Sequence, residues 1–162
     1  MHDPFECPPS VHLQCVSTAL EQAEIICRSQ HVRLTPTRRR VLELVWQQHR
    51  PVGAYDLLEQ LQQQGRVAPP TVYRALDFLQ QQGLIHRLES LNAFVGCAQP
   101  QHPHQGQFLI CQSCRSLAEI SDLKISQAIN SSARTAGFTP LNQTVEVMGL
   151  CAGCRQKEQS NG

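Results

Sequence analysis

The chain predicts an α+β fold in two parts, and three observations carry that reading. Four segments with apolar residues at helical spacing come first, two short alternating runs follow them, and two CxxC pairs bracket most of what remains. With 162 residues the chain has room for one mid-sized domain or two small ones.

Residues 1–10 hold three prolines and read as an irregular arm. Val16, Ala19, Leu20, Ala23 and Cys27 then recur at helical spacing and predict a helix over 16–29. Thr35 is the expected N-cap of a second helix, and Pro36 sits where an N–H needs no partner. Val41, Leu42 and Val45 form its inward stripe, with the arginines outside. Residues 49–53 end it, and a third helix over 54–63 buries Leu57, Leu58 and Leu61. Pro69-Pro70 opens a fourth, ending before Gly83. Its stripe is Val72, Ala75, Leu76 and Leu79, and its other face shows Thr71, Tyr73, Arg74, Asp77, Gln80 and Gln81. Runs at 84–89 and 93–97, joined through Ser90-Leu91-Asn92, predict a hairpin.

Short helices closed by such a hairpin follow the winged-helix order, in which the last helix enters the major groove. A compact helical core with Arg74 simply on its surface is the competing reading. Residues 98–106 lack apolar periodicity and read as a hinge. Strands are then expected over 107–111, 117–120 and 143–148, with a helix over 122–136 that buries Ile125, Ala128, Ile129 and Ala133. The domain bounds are expected at 11–97, in winged-helix order, and 107–156, a small α/β domain carrying the CxxC pairs. The second half has little core of its own, so a metal and a partner subunit are expected to complete it.

The formal charge is +1, so bulk charge says little about partners. Its distribution says more, because residues 28–40 contain Arg28, Arg33, Arg38, Arg39 and Arg40 and no acid. Such a patch serves DNA phosphates or is a solvated helix face. No stretch is apolar enough to span a membrane, and the first residues lack a basic run before an apolar segment; a cytoplasmic protein is expected.

Eight cysteines suit a disulfide framework or a metal, and the CxxC pairing favours metal. Cys111/Cys114 and Cys151/Cys154 each put two thiolates on a tight turn, and together they make a closed tetrahedral zinc site, structural rather than catalytic. A redox CxxC would come alone beside an α/β unit, and an iron–sulfur centre is the other competitor. A second set, His86, Cys97, His102, His104 and Glu119, gathers where wing, hinge and second half would meet. Each residue alone reads as ordinary surface or core; together they could complete another tetrahedral zinc site. Of the remaining thiols, Cys27 reads as core, Cys7 as a free thiol on the arm, and Cys15 has no assignment.

These stretches resemble the ferric uptake regulator (Fur) family, and its zinc-sensing branch most closely. The resemblance runs over about 19–154 and rests on VRLTPTRRRVLELV (32–45), AYDLLEQL (54–61), PPTVYRALDFLQQQGLIHRLES (69–90), the CxxC pairs and GLCAGC (149–154). It implies a winged helix followed by a dimerisation domain, working as a metal-loaded homodimer that binds a roughly palindromic double-stranded operator and represses uptake genes. It also implies about two zinc ions per subunit. The structural ion falls to Cys111, Cys114, Cys151 and Cys154. The regulatory ion falls to His86, Cys97, His104 and Glu119, with His102 as the alternative to His104. Tyr73 and Arg74 match the DNA-reading positions, with Thr71 on the same face; Tyr55 and Arg38 match backbone contacts. Met148 stands where several relatives have histidine, and the segment after Asp122 has none, so a further histidine-rich site is not expected. A thiolate at Cys97 suits zinc better than iron(II) or manganese. The alternatives are a sibling regulator responding to iron(II), manganese, nickel or peroxide, an enzyme, and a metal store or interaction module. An enzyme is disfavoured because the clearest metal site has no open position, and no small-molecule substrate is expected.

Overall fold

The computed structural model describes residues 9–47, 50–100 and 106–160. The chain divides into two compact units, Met1–His102 and Pro103–Gly162. Among the described residues no helix is long and apolar enough to cross a membrane.

The first unit holds α1 (Pro9–Ser29), α2 (Pro36–Gln47), α3 (Ala54–Gln62), α4 (Pro69–Gln81), β1 (Ile85–Leu88) and β2 (Ala93–Gly96). α1 begins inside the stretch expected to be an arm, since proline in a first helical turn forfeits no hydrogen bond. Cys7 lies outside the described residues. Thr35 caps α2 as expected, its Oγ1 accepting from the Arg38 N–H at 3.4 Å. At α3 the Asp56 carboxylate accepts from the Gly53 N–H at 3.2 Å. Gly83, with φ 68°, turns the chain out of α4, and the Leu84 N–H reaches back to the Leu79 carbonyl at 2.9 Å.

One apolar core joins these helices. It includes the expected Val41, Leu42, Val45, Leu57, Leu61, Val72, Ala75, Leu76 and Leu79, together with Leu44 and Phe78. Leu58 is half-buried at its edge, and Cys27 is buried within it. β1 and β2 pair antiparallel, Ile85 opposite Gly96 and Leu88 opposite Ala93. The α2–α3 connection adds a rung that the sequence did not suggest. Val52 and Phe94 exchange both backbone hydrogen bonds, at 3.0 and 2.8 Å, giving the wing a third partner. Gly96 is required at its place, because a Cβ there would overlap the Trp46 indole of α2.

The second unit holds β3 (Gly106–Cys111), β4 (Leu117–Ile120), α5 (Leu123–Thr135), β5 (Thr144–Gly149) and α6 (Ala152–Ser160). Its sheet has the order β4-β3-β5, with β4 antiparallel and β5 parallel to β3. β3 is the central strand, with Phe108 and Ile110 buried, and Gln107 is almost fully buried beside them. The Gln107 amide anchors the start of α5: Nε2 donates to the Asp122 carbonyl (3.0 Å) and to Ser126 Oγ (2.9 Å), and Oε1 accepts from the Asp122 N–H (3.0 Å).

α5 corrects an expectation. None of its residues is buried: Ile125 and Ala133 are half-buried, while Ala128 and Ile129 are exposed. Helical spacing produces an apolar stripe, but only a covering surface buries it. α6 was not expected at all, since its polar sequence carries no stripe.

Candidate functional site

The second unit brings its two CxxC turns together. Ligand sulfurs of Cys111, Cys114, Cys151 and Cys154 all lie within 4.8 Å of one another. Cys114 Sγ and Cys151 Sγ are 3.8 Å apart. Tetrahedral zinc with bonds of about 2.3 Å sets its sulfurs about 3.8 Å from each other, whereas a disulfide requires about 2.05 Å. The four cysteines are free thiols, two buried and two half-buried. The donor set therefore fits a closed four-sulfur zinc centre.

Local backbone chemistry shapes each turn. After β3, Arg115 takes a positive φ of 62°, while its N–H bonds the Cys111 carbonyl (3.0 Å) and the Cys111 N–H bonds the Ser116 carbonyl (2.9 Å). The Gln112 N–H donates to the Gly149 carbonyl at 2.8 Å, tying the first turn to the end of β5. Cys151 immediately precedes α6 and Cys154 lies in its first turn, so the start of the unpredicted helix positions half the ligand set. The Cys151 N–H points at Cys111 Sγ from 3.4 Å, and Ser116 Oγ stands 3.0 Å from Cys114 Sγ.

Hydrogen bonds from the backbone of Cys114 and then of Cys151 lower the Cys111 thiol to about 6. Ser116, through its side chain and backbone, holds Cys114 below the usual thiol range. Cys154 receives a hydrogen bond from Ser113 that favours the thiolate. Its neighbours Cys151 and Cys114, with burial, outweigh that bond and push it up to about 11. Part of the cluster is thus poised as thiolate, while the last sulfur needs a cation among them before it ionises.

The second expected ligand set is spread along the chain. His86 lies half-buried on β1, and Cys97 is buried just past β2. The Cys97 N–H bonds the Leu84 carbonyl at 3.0 Å, which puts Cys97 diagonally across from His86 on one face of the wing. Their ligand atoms lie within 4.8 Å of each other. Glu119 is half-buried on β4, opposite Phe108 in the second unit. His102 and His104 lie outside the described residues.

Of the expected nucleic-acid contacts, Thr71, Tyr73 and Arg74 are all exposed on α4, opposite its buried stripe. Tyr55 on α3 is 78% exposed. Arg38 is different. Its side chain is half-buried, with the guanidinium over the Phe78 ring and Nη1 donating to the Arg33 carbonyl at 2.6 Å. Its neighbours are engaged as well: Arg39 pairs with Glu24, and Arg40 with Glu43 at 2.6 Å and Gln64 at 3.2 Å. Arg38, Arg39 and Arg40 are therefore each engaged by their own fold. Phe78, Glu24, Gln64, Trp46 and Gly96 all act at these places, and nothing in their local sequence marks them.

Comparison with known proteins agrees with this anatomy. The model of the Ferric uptake regulator family matches residues 29–148. The Zinc uptake regulation protein of Escherichia coli (strain K12) is 40% identical over 141 residues, covering 86% of this chain and 82% of that protein. Among solved structures, a zinc uptake regulator complexed with zinc and DNA has a TM-score of 0.84 at 39% identity, covering 89% of this chain and 97% of that one. The crystal structure of holo XcZur has a TM-score of 0.81 at 44% identity, covering 86% and 98%. With most of its length matched in both sequence and fold, this chain belongs to the ferric uptake regulator family.

Proposed function

We propose that the protein is a zinc-responsive, sequence-specific transcriptional repressor of zinc uptake genes, working in the cytoplasm as a homodimer on double-stranded DNA. The observation that carries the choice of metal is the Cys97 thiol set close to the His86 imidazole on one face of the wing. A sulfur–imidazole pair selects a borderline ion such as zinc over iron(II) or manganese, which prefer harder ligands. The likeness to zinc uptake regulators supports the same choice.

Cys111, Cys114, Cys151 and Cys154 would hold a structural zinc, which contributes folding energy and leaves no position for substrate. His86, Cys97, Glu119 and His104, or His102 in its place, would hold the regulatory ion. Occupancy of that set favours the conformation that binds DNA, by the differential affinity of the two states for metal.

The homodimer has support in the second unit, where Leu123, Phe138 and Leu141 are 76%, 64% and 98% exposed beside an α5 that buries nothing. Apolar surface of this kind marks an interface. Two subunits present two copies of α4, and a two-fold pair reads a roughly palindromic operator through successive major grooves. On α4, Arg74 makes bidentate contact with a purine, and Tyr73 and Thr71 flank it; Tyr55 supports the backbone.

The test is fluorescence anisotropy on the promoter of a zinc uptake gene from the same genome. Free zinc, iron(II) and manganese are buffered in turn, and wild type is compared with Cys97→Ala. Binding should rise with very low free zinc and collapse in Cys97→Ala. Binding governed by iron(II) or manganese and indifferent to Cys97 would instead make the protein a sibling regulator.

A further inference from the structure

Three consecutive arginines open α2, and each side chain serves a different element. Arg39 pairs with Glu24 of α1, and Arg40 reaches Gln64 just past α3. Arg38 turns toward α4, where its guanidinium carbon stands 3.5 Å from the centroid of the Phe78 ring. Its Nη1 donates to the Arg33 carbonyl at 2.6 Å, which ties the same guanidinium to the α1–α2 connection. Phe78 is 9% exposed and follows Arg74 by four residues, one turn along the same side of α4.

We propose that Arg38 is a positioning residue: stacked on Phe78 and tied to the Arg33 carbonyl, it sets how α4 is rotated and seated on α2, and hence where Arg74 and Tyr73 aim. This rests on the DNA-binding reading above and deepens it. Here a ring covers one face of the guanidinium and a carbonyl takes one of its five N–H donors, so the two contacts together fix the plane in which the fork lies. The flat, delocalised cation is what both contacts require; an ammonium carries the charge and cannot lie flat on the ring while bonding sideways. Displacing the stack frees Phe78 to shift, and Arg74 moves with it on the same rigid helix. Arg38 therefore acts on specific recognition through α4, its charge being used in the stack on Phe78.

The experiment uses the zinc-loaded full-length protein as wild type, Arg38→Lys, Arg38→Gln, Phe78→Leu and the double variant Arg38→Gln/Phe78→Leu. Anisotropy is read on a labelled promoter duplex of a zinc uptake gene and on a random duplex of equal length, across a range of salt. Each single variant should lose about tenfold on the promoter duplex while random-duplex affinity and the salt slope stay close to wild type, and the double variant should be no worse than the weaker single. A slope reduced by about one on both duplexes in Arg38→Gln, restored by lysine and untouched by Phe78→Leu, would make Arg38 a phosphate contact and overturn the proposal.

Thermal midpoints of wild type, the two single variants Arg38→Gln and Phe78→Leu, and their double variant form a second cycle that needs no DNA. Coupling between positions 38 and 78 supports the bracket, and strict additivity refutes it. A wild type that binds the promoter duplex under no buffered metal defeats the repressor reading, and this second cycle then decides Arg38 by itself.

Discussion

Replacing one thiol of the four-sulfur centre should unfold the second unit and spare the first. The second unit buries little apolar mass of its own. Phe108 and Ile110 are its large buried hydrophobics, joined by Ala118, and α5 contributes none. At about 1.5–3 kcal/mol per fully buried large side chain, Phe108 and Ile110 supply about 3–6 kcal/mol together. Structural zinc contributes on the order of 10–16 kcal/mol, so the ion outweighs them by a factor of roughly 1.7 to 5. Cys114→Ser removes a ligand whose sulfur lies 3.8 Å from Cys151, while Cys97 and the histidines of the other ligand set remain. The first unit keeps a core built from four helices and the wing.

Two probes separate the units. Trp46 is the single tryptophan and packs in the first unit against Gly96, so its emission reports that unit alone. Far-ultraviolet circular dichroism reports both. In Cys114→Ser the helical signal of α5 and α6 should be lost at 25 °C while the Trp46 emission stays native, and heating should then show one remaining transition. A variant that keeps its full dichroism, or loses both signals together, would refute the claim that zinc holds up the second unit by itself.

Zinc loading should weaken as pH falls. In the metal-free site Cys154, pushed up to about 11, stays protonated through neutrality and must release its proton on binding; Cys111, at about 6, adds a second competing proton only below that pH. Competition with a chelator should therefore show affinity rising by at least tenfold per pH unit near neutrality and more steeply below about pH 6, and a flat profile would contradict it. Gly96→Ala forces a methyl group into the Trp46 ring and should cost about 1–3 kcal/mol, read as a lower midpoint with altered Trp46 emission. Because Cys97 is the next residue, regulatory zinc affinity should fall with it. Arg74→Ala should lose about 1–3 kcal/mol on the promoter duplex and relax base preference at one position, measured against a set of single-base variants. Equal losses on every sequence would instead make Arg74 a phosphate contact.

Much of this was legible in the residues because the signals are local. Two cysteines separated by two residues share one turn whatever surrounds them, so the thiol pairs could be read without a fold. The caps at Thr35 and Pro36, the break at Gly83 and the inward stripes of α2 and α4 likewise follow from the conformations that single residues allow. The polar face of α4, with Arg74, is the complement of its stripe and came with it.

The sequence alone determined the element order through β5 and the thiol chemistry of the paired cysteines. Tertiary structure decided what those elements meet. α5 carries a stripe that one copy of the chain does not bury, and α6, with no stripe, forms all the same behind Cys151. Arg38, Arg39 and Arg40 read locally as a phosphate-serving patch or a solvated helix face, and packing sets them against Phe78, Glu24 and Gln64. Local pattern specifies the conformation and the chemistry of a side chain, but the partner that captures it arrives from distant sequence, and only packing brings the two together.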